Sequence, residues 1–202
     1  METFISIKKM LFSNYLETLL GSRVKIKILR ALFRFQTKIF TLRELAGHVK
    51  VSHTAVLNSL GDLQGMNIVK IESHGTSNLI TLNKDSYMYN YLKDFFDFES
   101  NTLQKLKEEL KKILPKAKSI DIFGSVSAKK EQLNSDVDVL IIVNEKSKIS
   151  EIIAKTQERF SSKFGNVISA YIMSPDEFKK KRNTSFIKGI LENHILVKGE
   201  VL

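Results

Sequence analysis

The 202-residue sequence contains no cysteine. Without thiols the chain cannot form disulfides, thiolate metal sites or cysteine nucleophiles, and this composition fits a reducing compartment. The sequence also has no apolar run near the roughly 18 residues that a membrane-spanning helix needs. Its first 20 residues carry charges among the apolar positions and no small-residue cleavage site, so no signal peptide is predicted. We therefore expect a cytoplasmic protein with no membrane partner.

Positive charge is concentrated in the amino-terminal part of the chain. The formal net charge is +10, and residues 1–83 contain 11 lysines and arginines against 5 aspartates and glutamates. Residues 119–202 contain 13 against 11. A basic surplus attracts polyanions such as nucleic acid through phosphate contacts and counterion release. A solvated lysine-rich surface would explain the same surplus, so charge alone does not select a partner.

The first 83 residues change from a helical periodicity to a two-residue alternation. The spacing of apolar residues predicts an amphipathic helix over 22–35, and Thr41 and Ser52 have the residue types that begin helices. The helix after Ser52 is expected to bury Val56, Leu57, Leu60 and Leu63. After Gly65, the alternating segments IVKIES and LITLN flank a turn at Gly75 and predict a β-hairpin.

Three helices followed by a hairpin resemble a winged helix-turn-helix DNA-binding domain, which we assign to residues 1–85. The resemblance implies that the second helix of the pair enters the major groove of double-stranded DNA. The residues that it places at DNA are Lys50, Ser52, His53, Thr54 and Asn58. The same resemblance places the wing, residues 73–77, at phosphates. Winged helices also serve as protein-interaction or dimerisation modules, and this alternative stays open.

Residues 86–114 are predicted to form a mostly helical linker between two domains. The helix is expected to end before Pro115, which cannot continue it without losing a hydrogen bond. The linker is rich in aromatic residues, namely Tyr87, Tyr89, Tyr91, Phe95, Phe96 and Phe98. Such density is typical of a packed core or a dimer interface, although stacking on bases is a further use. We expect a homodimer formed through this linker.

Residues 115–202 alternate strand-like and helix-like segments and predict a small α/β domain. Strands are predicted over 119–123, 137–143 and 167–173, helices over 149–164 and 174–191, and a short edge strand over 194–197. The whole chain is therefore assigned to the α/β (α+β) class, with an amino-terminal winged helix and a carboxy-terminal small mixed-sheet domain.

Two aspartates, Asp136 and Asp138, stand at the start of an apolar strand. Side chains alternate faces along a strand, so the two carboxylates are expected on the same side, with ~7 Å between their Cα atoms. A hard cation such as Mg²⁺, or Mn²⁺ in its place, would relieve their repulsion. Upstream, Gly124 and Ser125 end another strand in a turn that can hold a phosphate. The alternative is an inert turn beside solvent-facing aspartates.

Gly124-Ser125, ten residues and then Asp136-x-Asp138 resemble the signature of minimal nucleotidyltransferases in the DNA polymerase beta superfamily. The family fold is a short mixed sheet with helices on one face. Its chemistry transfers a nucleoside monophosphate from a nucleoside triphosphate (NTP) to an acceptor hydroxyl. The resemblance implies that Asp136 and Asp138 are catalytic and hold Mg²⁺, while Gly124 and Ser125 seat phosphates. Related transferases modify small molecules or partner proteins, so a protein acceptor is one candidate.

One feature of this family is missing from the sequence. Active members usually add a third carboxylate from a later strand, but here that strand reads NVISAYIMS and has Ser169, Ala170 and Tyr171 at the expected positions. Asp121 on the first strand is a candidate substitute. This departure favours nucleotide and metal binding over efficient catalysis.

The combined prediction is a DNA-binding winged helix fused to a minimal nucleotidyltransferase domain that binds a magnesium-bound NTP and transfers a nucleotide. The alternative is a catalytically weak or inactive transcriptional regulator whose transferase-like domain senses nucleotide or mediates assembly. A protein–protein adaptor whose winged helix contacts no DNA also stays open.

Overall fold

The computed structural model describes residues 14–75, 77–132 and 135–199. The chain divides into two compact units, the first ending at Ser100 and the second beginning at Asn101. The absence of a signal peptide was predicted from the first 20 residues, most of which lie outside the described part. Among the described helices, none combines the length and the apolar character needed to cross a membrane.

The first unit consists of short helices and a small antiparallel sheet. Its elements are α1 (Tyr15–Leu20), α2 (Arg23–Arg34), β1 (Phe40–Thr41), α3 (Leu42–Val49), α4 (His53–Gly65), β2 (Val69–His74), β3 (Ser77–Leu82) and the first part of α5 (Tyr89–Ile113). The strand order is β1-β3-β2, and both pairings are antiparallel. This arrangement confirms the predicted winged helix-turn-helix, with β2 and β3 as its wing.

Side-chain caps fix where the helices of this unit begin. Ser22 accepts a hydrogen bond from the Lys25 amide, and Ser52 accepts one from the Ala55 amide. Thr41 and Glu44 form a reciprocal capping box at the start of α3. Each cap satisfies an amide that has no partner within the helix, and a cap contributes about 1 kcal/mol to helix stability. All three predicted helix starts are confirmed.

The core of the first unit excludes one residue that the sequence pattern placed there. On α4 the buried residues are Val56, Ser59, Leu60 and Leu63, whereas Leu57 is 48% exposed. A helix turns by about 100° per residue, so the face centred on Val56, Leu60 and Leu63 leaves Leu57 on the flank. The expectation that Leu57 is buried was wrong.

The helix predicted within 86–114 is observed as α5, which ends just before Leu114 and Pro115. Leu92 and Phe96 belong to the core of the first unit, where the Phe96 ring stacks on Phe33 at 5.2 Å between centroids. Leu106, Leu110 and Ile113 belong to the core of the second unit. Each unit therefore includes part of α5 in its own core.

The second unit is built around a four-stranded mixed sheet. Besides the end of α5, its elements are β4 (Ser119–Phe123), α6 (Gly124–Ser127), β5 (Val137–Ile142), α7 (Lys146–Phe164), β6 (Ile168–Met173), α8 (Pro175–Lys181), α9 (Ser185–Glu192) and β7 (Ile195–Lys198). The strand order is β6-β5-β4-β7. The β5–β6 pair is parallel and the other pairs are antiparallel, which confirms the predicted mixed sheet.

Helices cover both faces of this sheet, whereas the resemblance implied helices on one face. On one face Ile120, Val139 and Ile141 share a core with residues of α5 and α7. On the other, Leu140 and Ile142 share a core with Phe178, Ile187 and Ile190, which lie on α8 and α9. Because both faces are covered, β5 can be apolar at successive positions rather than alternating.

The helix predicted over 174–191 is interrupted. The structure has α8 and α9 with a break at 182–184, because Thr184 adopts an extended conformation and accepts a hydrogen bond from the Ile187 amide at 3.5 Å. A threonine inside a polar segment favours a cap over a continued helix. The sequence pattern detected the helical segment and missed this internal start.

A buried carboxylate joins α5 to α7 within the second unit. Glu109 is 7% exposed, and its two carboxylate oxygens lie 3.2 Å from Arg159 Nη2 and 2.5 Å from Lys163 Nζ. The hydrogen bond from Lys163 is the main cause of a lowered pKa for Glu109, and the charges of Lys163 and Arg159 add to it, while burial opposes it. The ion pair therefore stabilises the folded state only while Glu109 is ionised.

Replacement Glu109→Gln is expected to lower the free energy of unfolding by about 1–2 kcal/mol at neutral pH, because a charged hydrogen bond becomes a neutral one. The folded-state pKa is depressed from the ordinary 4.5, so the stabilisation is present above that value and is lost as pH falls through the folded pKa. Urea unfolding at a series of pH values should show the two proteins converging in acid. Glu108→Gln, at an exposed neighbouring position, is the control. An equal loss at all pH values would contradict this account.

Candidate functional site

The ends of three strands bring polar residues together at one edge of the mixed sheet. Phe123, the last residue of β4, pairs with Asp138 in β5, and Asp138 pairs with Ser169 in β6. Directly paired residues project to the same face of a sheet. Gly124 follows Phe123, so it also lies at this end of the sheet. We call Gly124, Ser125, Asp136 and Asp138 the carboxylate edge.

Gly124 and Asp138 are in direct contact. Gly124 has a φ of +71°, and a Cβ atom added to it would overlap Asp138 Oδ2 and lie 3.1 Å from Asp138 Cγ. Glycine is therefore needed here both for its backbone conformation and for the space that the carboxylate occupies. The structure brings together the glycine turn and one of the two aspartates that the sequence singled out.

The segment Gly124–Ser127 is a single helical turn, α6, and hydrogen bonds hold residues near both of its ends. The Ser127 hydroxyl lies 2.8 Å from the Asn193 carbonyl oxygen and donates to it, and the Lys130 amide donates to the Ser125 carbonyl at 2.9 Å. The first amides of a helical turn have no acceptor within it, so those at Gly124 and Ser125 are available to an anion. Ser125 itself is half-buried.

Asp136 is exposed and directly precedes β5. The backbone on each side of it is held, because the Val137 amide donates to the Val167 carbonyl at 2.9 Å and Asn166 Nδ2 donates to the Ser135 carbonyl at 2.7 Å. Asp138 is half-buried. The two aspartates thus differ in exposure, and Asp138 has the more constrained position.

The donor set at the carboxylate edge fits a hard cation that shares its coordination with a substrate. Within the described ranges, no group of three or more His, Cys, Asp or Glu residues is arranged to hold a metal ion. Magnesium is typically held by one or two carboxylates together with substrate phosphates and water. Asp136 and Asp138 therefore suit a cation that arrives with a phosphorylated ligand.

Asp121 does not supply a third carboxylate at this edge. It is fully buried and lies opposite Leu140 and Leu196 in the neighbouring strands. Its Oδ2 accepts a hydrogen bond from Ser119 Oγ at 2.7 Å, and burial raises its pKa above the ordinary value. In β6, Ser169 occupies the position beside Asp138. The candidate substitution by Asp121 is therefore not supported by its surroundings.

A histidine that the sequence analysis did not select accompanies Asp121. His194 Nε2 lies 3.7 Å from Asp121 Oδ1, and its Nδ1 lies 3.0 Å from the Leu191 carbonyl oxygen. A carbonyl only accepts, so Nδ1 carries the proton and donates, which leaves Nε2 facing the carboxylate. The two residues are 73 positions apart and meet only because β7 pairs with β4, so no local sequence signal could reveal the contact.

The first unit presents a second candidate surface on α4. Its predicted DNA-contacting residues, Lys50, Ser52, His53, Thr54 and Asn58, are all exposed. The Ser52 hydroxyl also accepts from the Ala55 amide, so part of its hydrogen-bonding capacity is used by the cap. Leu57 adds an exposed apolar side chain to this surface. The sequence analysis did not include Leu57 here because it assigned the residue to the core.

The wing is formed as predicted, but its tip is only partly described. Strands β2 and β3 pair from Val69 with Leu82 to His74 with Ser77, and Gly75 has a φ of +58°. Thr76, which belongs to the expected phosphate-contacting segment 73–77, lies outside the described residues.

Residues 103–197 match the protein-family model described as "Nucleotidyltransferase domain". This stretch runs from the latter part of α5 to Val197 in β7 and includes the carboxylate edge. No curated protein shows significant sequence similarity to the chain.

Three solved structures are similar to parts of this chain, each at 16% identity. A toxin–antitoxin complex with AMP-PNP has a TM-score of 0.35 and matches 49% of this chain and 74% of its own. The apo form of a mutant of Lactococcus lactis ZitR has a TM-score of 0.36, and the match covers 77% of this chain and 99% of ZitR. The archaeal chromatin protein TrmBL2 has a TM-score of 0.30, and the match covers 82% of this chain and 68% of TrmBL2. These scores are too low for any argument to rest on them.

Two glycines with similar backbone conformations allow the Gly124–Asp138 contact to be tested. Gly124→Ala combines a positive φ with the overlap on Asp138, whereas Gly165→Ala has a φ of +79° and no heavy atom within 4 Å of the added Cβ. Gly165→Ala should cost about 1–2 kcal/mol of unfolding free energy, and Gly124→Ala at least about 1 kcal/mol more. Urea denaturation measures both. Equal losses would show that Asp138 does not constrain Gly124.

Proposed function

We propose that residues 103–197, which match the nucleotidyltransferase family model, bind an NTP with Mg²⁺ or Mn²⁺ at the carboxylate edge and transfer a nucleoside monophosphate to an acceptor hydroxyl. The observation that carries this proposal is the contact between Gly124 and the carboxylate of Asp138. This contact supports the proposal, because a metal-bound triphosphate needs a turn that holds phosphate directly beside a carboxylate that holds the cation.

Each part of the carboxylate edge has a distinct role in this proposal. Asp136 and Asp138 hold the cation, and the amides at Gly124 and Ser125 together with the Ser125 hydroxyl hold the outer phosphates. The acceptor hydroxyl oxygen forms a bond to the α-phosphorus and its proton passes to water. The bond from that phosphorus to the bridging oxygen breaks, its electron pair stays on that oxygen, and pyrophosphate leaves. The cation, when bound, neutralises charge on the phosphates and aligns them.

Asp138→Asn and Asp136→Asn should each reduce nucleotide transfer to background, because a neutral amide does not replace a carboxylate that holds a divalent cation. The assay incubates the protein with Mg²⁺ and each α-labelled NTP, alone and with cell extract, and follows label in product. Asp176→Asn, at an exposed carboxylate in the first turn of α8, is the matched control. Undiminished transfer by either variant would remove that aspartate from the proposed site.

The second candidate function is a transcriptional regulator whose transferase-like domain senses nucleotide without consuming it. The observation that favours it is Ser169 beside Asp138, together with the burial of Asp121, because the third carboxylate that would activate the acceptor is not found at either place. A pyrophosphate-release assay, run beside calorimetry of nucleotide binding, separates the two candidates. A sensor binds magnesium-bound NTP and loses affinity on Asp138→Asn, but it releases no pyrophosphate with any acceptor.

For the first unit we propose binding to double-stranded DNA through α4 in the major groove. Lys50, Ser52, His53, Thr54 and Asn58 are exposed around the start of this helix, and Leu57 can contact a thymine methyl group. The basic surplus of residues 1–83 favours contact with phosphates. These exposed side chains support contact with DNA, and they equally allow a protein partner.

Asn58→Ala should weaken binding to a selected DNA duplex by about 1–3 kcal/mol and relax its sequence preference, because asparagine reads a base edge. Lys50→Ala should weaken binding to all sequences alike and reduce the salt slope by about 1. Fluorescence anisotropy at several salt concentrations, on duplexes selected from a random library, measures both. Lys84→Ala, at an exposed position outside α4, is the control. No duplex binding at low salt would favour the adaptor alternative.

The homodimer and the protein acceptor remain proposals. Exposed rings on and just before α5 support a dimer: Tyr87, Tyr91, Phe95 and Phe98 are 68%, 60%, 52% and 60% exposed. A concentration of exposed aromatic rings is typical of protein interfaces.

A further inference from the structure

Three aromatic rings lie together beside the carboxylate edge. The Phe186 ring centroid is 6.2 Å from that of Phe123 and 5.0 Å from that of Tyr171, with interplanar angles of 89° and 69°. We call Phe123, Tyr171 and Phe186 the aromatic trio. Near-perpendicular contacts of this kind are favourable between aromatic rings and fix their orientation.

Strand register places the trio on the same face of the sheet as Asp138. Phe123 pairs directly with Asp138. Tyr171 pairs with Leu140, two residues further along β5 than Asp138, and positions two apart share a face. Neighbouring strands are ~5 Å apart, so Phe123, the member of the trio nearest to Asp138 in the sheet, lies one strand spacing from it.

Packing of the core does not account for Phe186. On α9, Ile187 and Ile190 are 1% and 4% exposed and provide the contact with the sheet. Phe186 is 50% exposed and is held at the surface through the rings of Phe123 and Tyr171. Half of the Phe186 side chain is therefore in water, and a ligand that stacked on the ring would remove this apolar area from water.

We propose that the aromatic trio stacks the nucleobase of the NTP, with Phe186 as the principal stacking residue. This inference rests on the proposed function, because it takes the triphosphate to lie at the carboxylate edge. One ribose joins base and triphosphate, so the base must lie close to the carboxylates, and the trio is an apolar surface at that distance. Stacking accepts any base, since every base has a π-face. The trio thus supplies affinity for a nucleoside, and the edge supplies affinity for phosphates.

The test compares two ligands that share the phosphates and differ in the base. Calorimetry on the full chain with Mg²⁺ measures binding of ATP and of inorganic tripolyphosphate. Phe186→Ala should weaken ATP binding about tenfold and leave tripolyphosphate binding unchanged, and Phe186→Tyr should restore ATP binding. Ile39→Ala, which removes an apolar side chain of similar exposure (55%) in the first unit, is the matched control and should change neither affinity.

The outcomes separate this inference from the proposed function. Selective loss of ATP affinity with recovery in Phe186→Tyr supports it. The inference would be overturned if Phe186→Ala weakened binding of both ligands equally or of neither. It would also be overturned if Phe186→Ala lost transfer but kept its affinity for ATP, and that result would assign the trio to the acceptor. Tripolyphosphate binding in the wild type with no added affinity for ATP would overturn the stacking role alone. Failure of the wild type to bind either ligand would overturn the proposed function and the stacking role with it.

Discussion

The close approach of Gly124 to the carboxylate of Asp138 is the constraint on which the carboxylate edge depends. β4 and β5 are antiparallel neighbours, so the residue that ends one meets the residue that starts the other. A Cβ atom at position 124 would overlap the Asp138 carboxylate where it now lies, and a φ of +71° is a conformation that glycine adopts more readily than other residues. The pairing of β4 with β5 therefore brings Gly124 and Asp138, which are separated along the chain, into contact.

Features controlled by neighbouring residues could be predicted from the sequence. Ser22, Thr41 and Ser52 begin helices because their own hydroxyls accept from amides three positions on, and the β2–β3 hairpin follows from alternation around Gly75. Features that depend on distant segments could not be predicted. The contact of His194 with Asp121 and the aromatic trio both require strand pairing or helix packing that no local pattern encodes.

Within single helices, the sequence likewise does not predict which apolar residues are buried or which core they join. Leu57 fits an apolar periodicity, yet it is exposed, because a count of apolar positions does not fix the centre of the buried face. Leu92 and Leu110 have the same residue type and lie on one helix, but they belong to different cores. The sequence indicates which helices are amphipathic, and only the packed structure shows which residues each face contacts.

The division of α5 between two cores determines where the chain can be shortened. Leu106, Leu110 and Ile113 pack with α7 and one face of the mixed sheet, and Glu109 pairs with Arg159 and Lys163 from the same helix. A fragment that began at Pro115 would keep the whole carboxylate edge. It would also expose the apolar surface that Leu106, Leu110 and Ile113 cover, so such a fragment should aggregate although every residue of its proposed site is present.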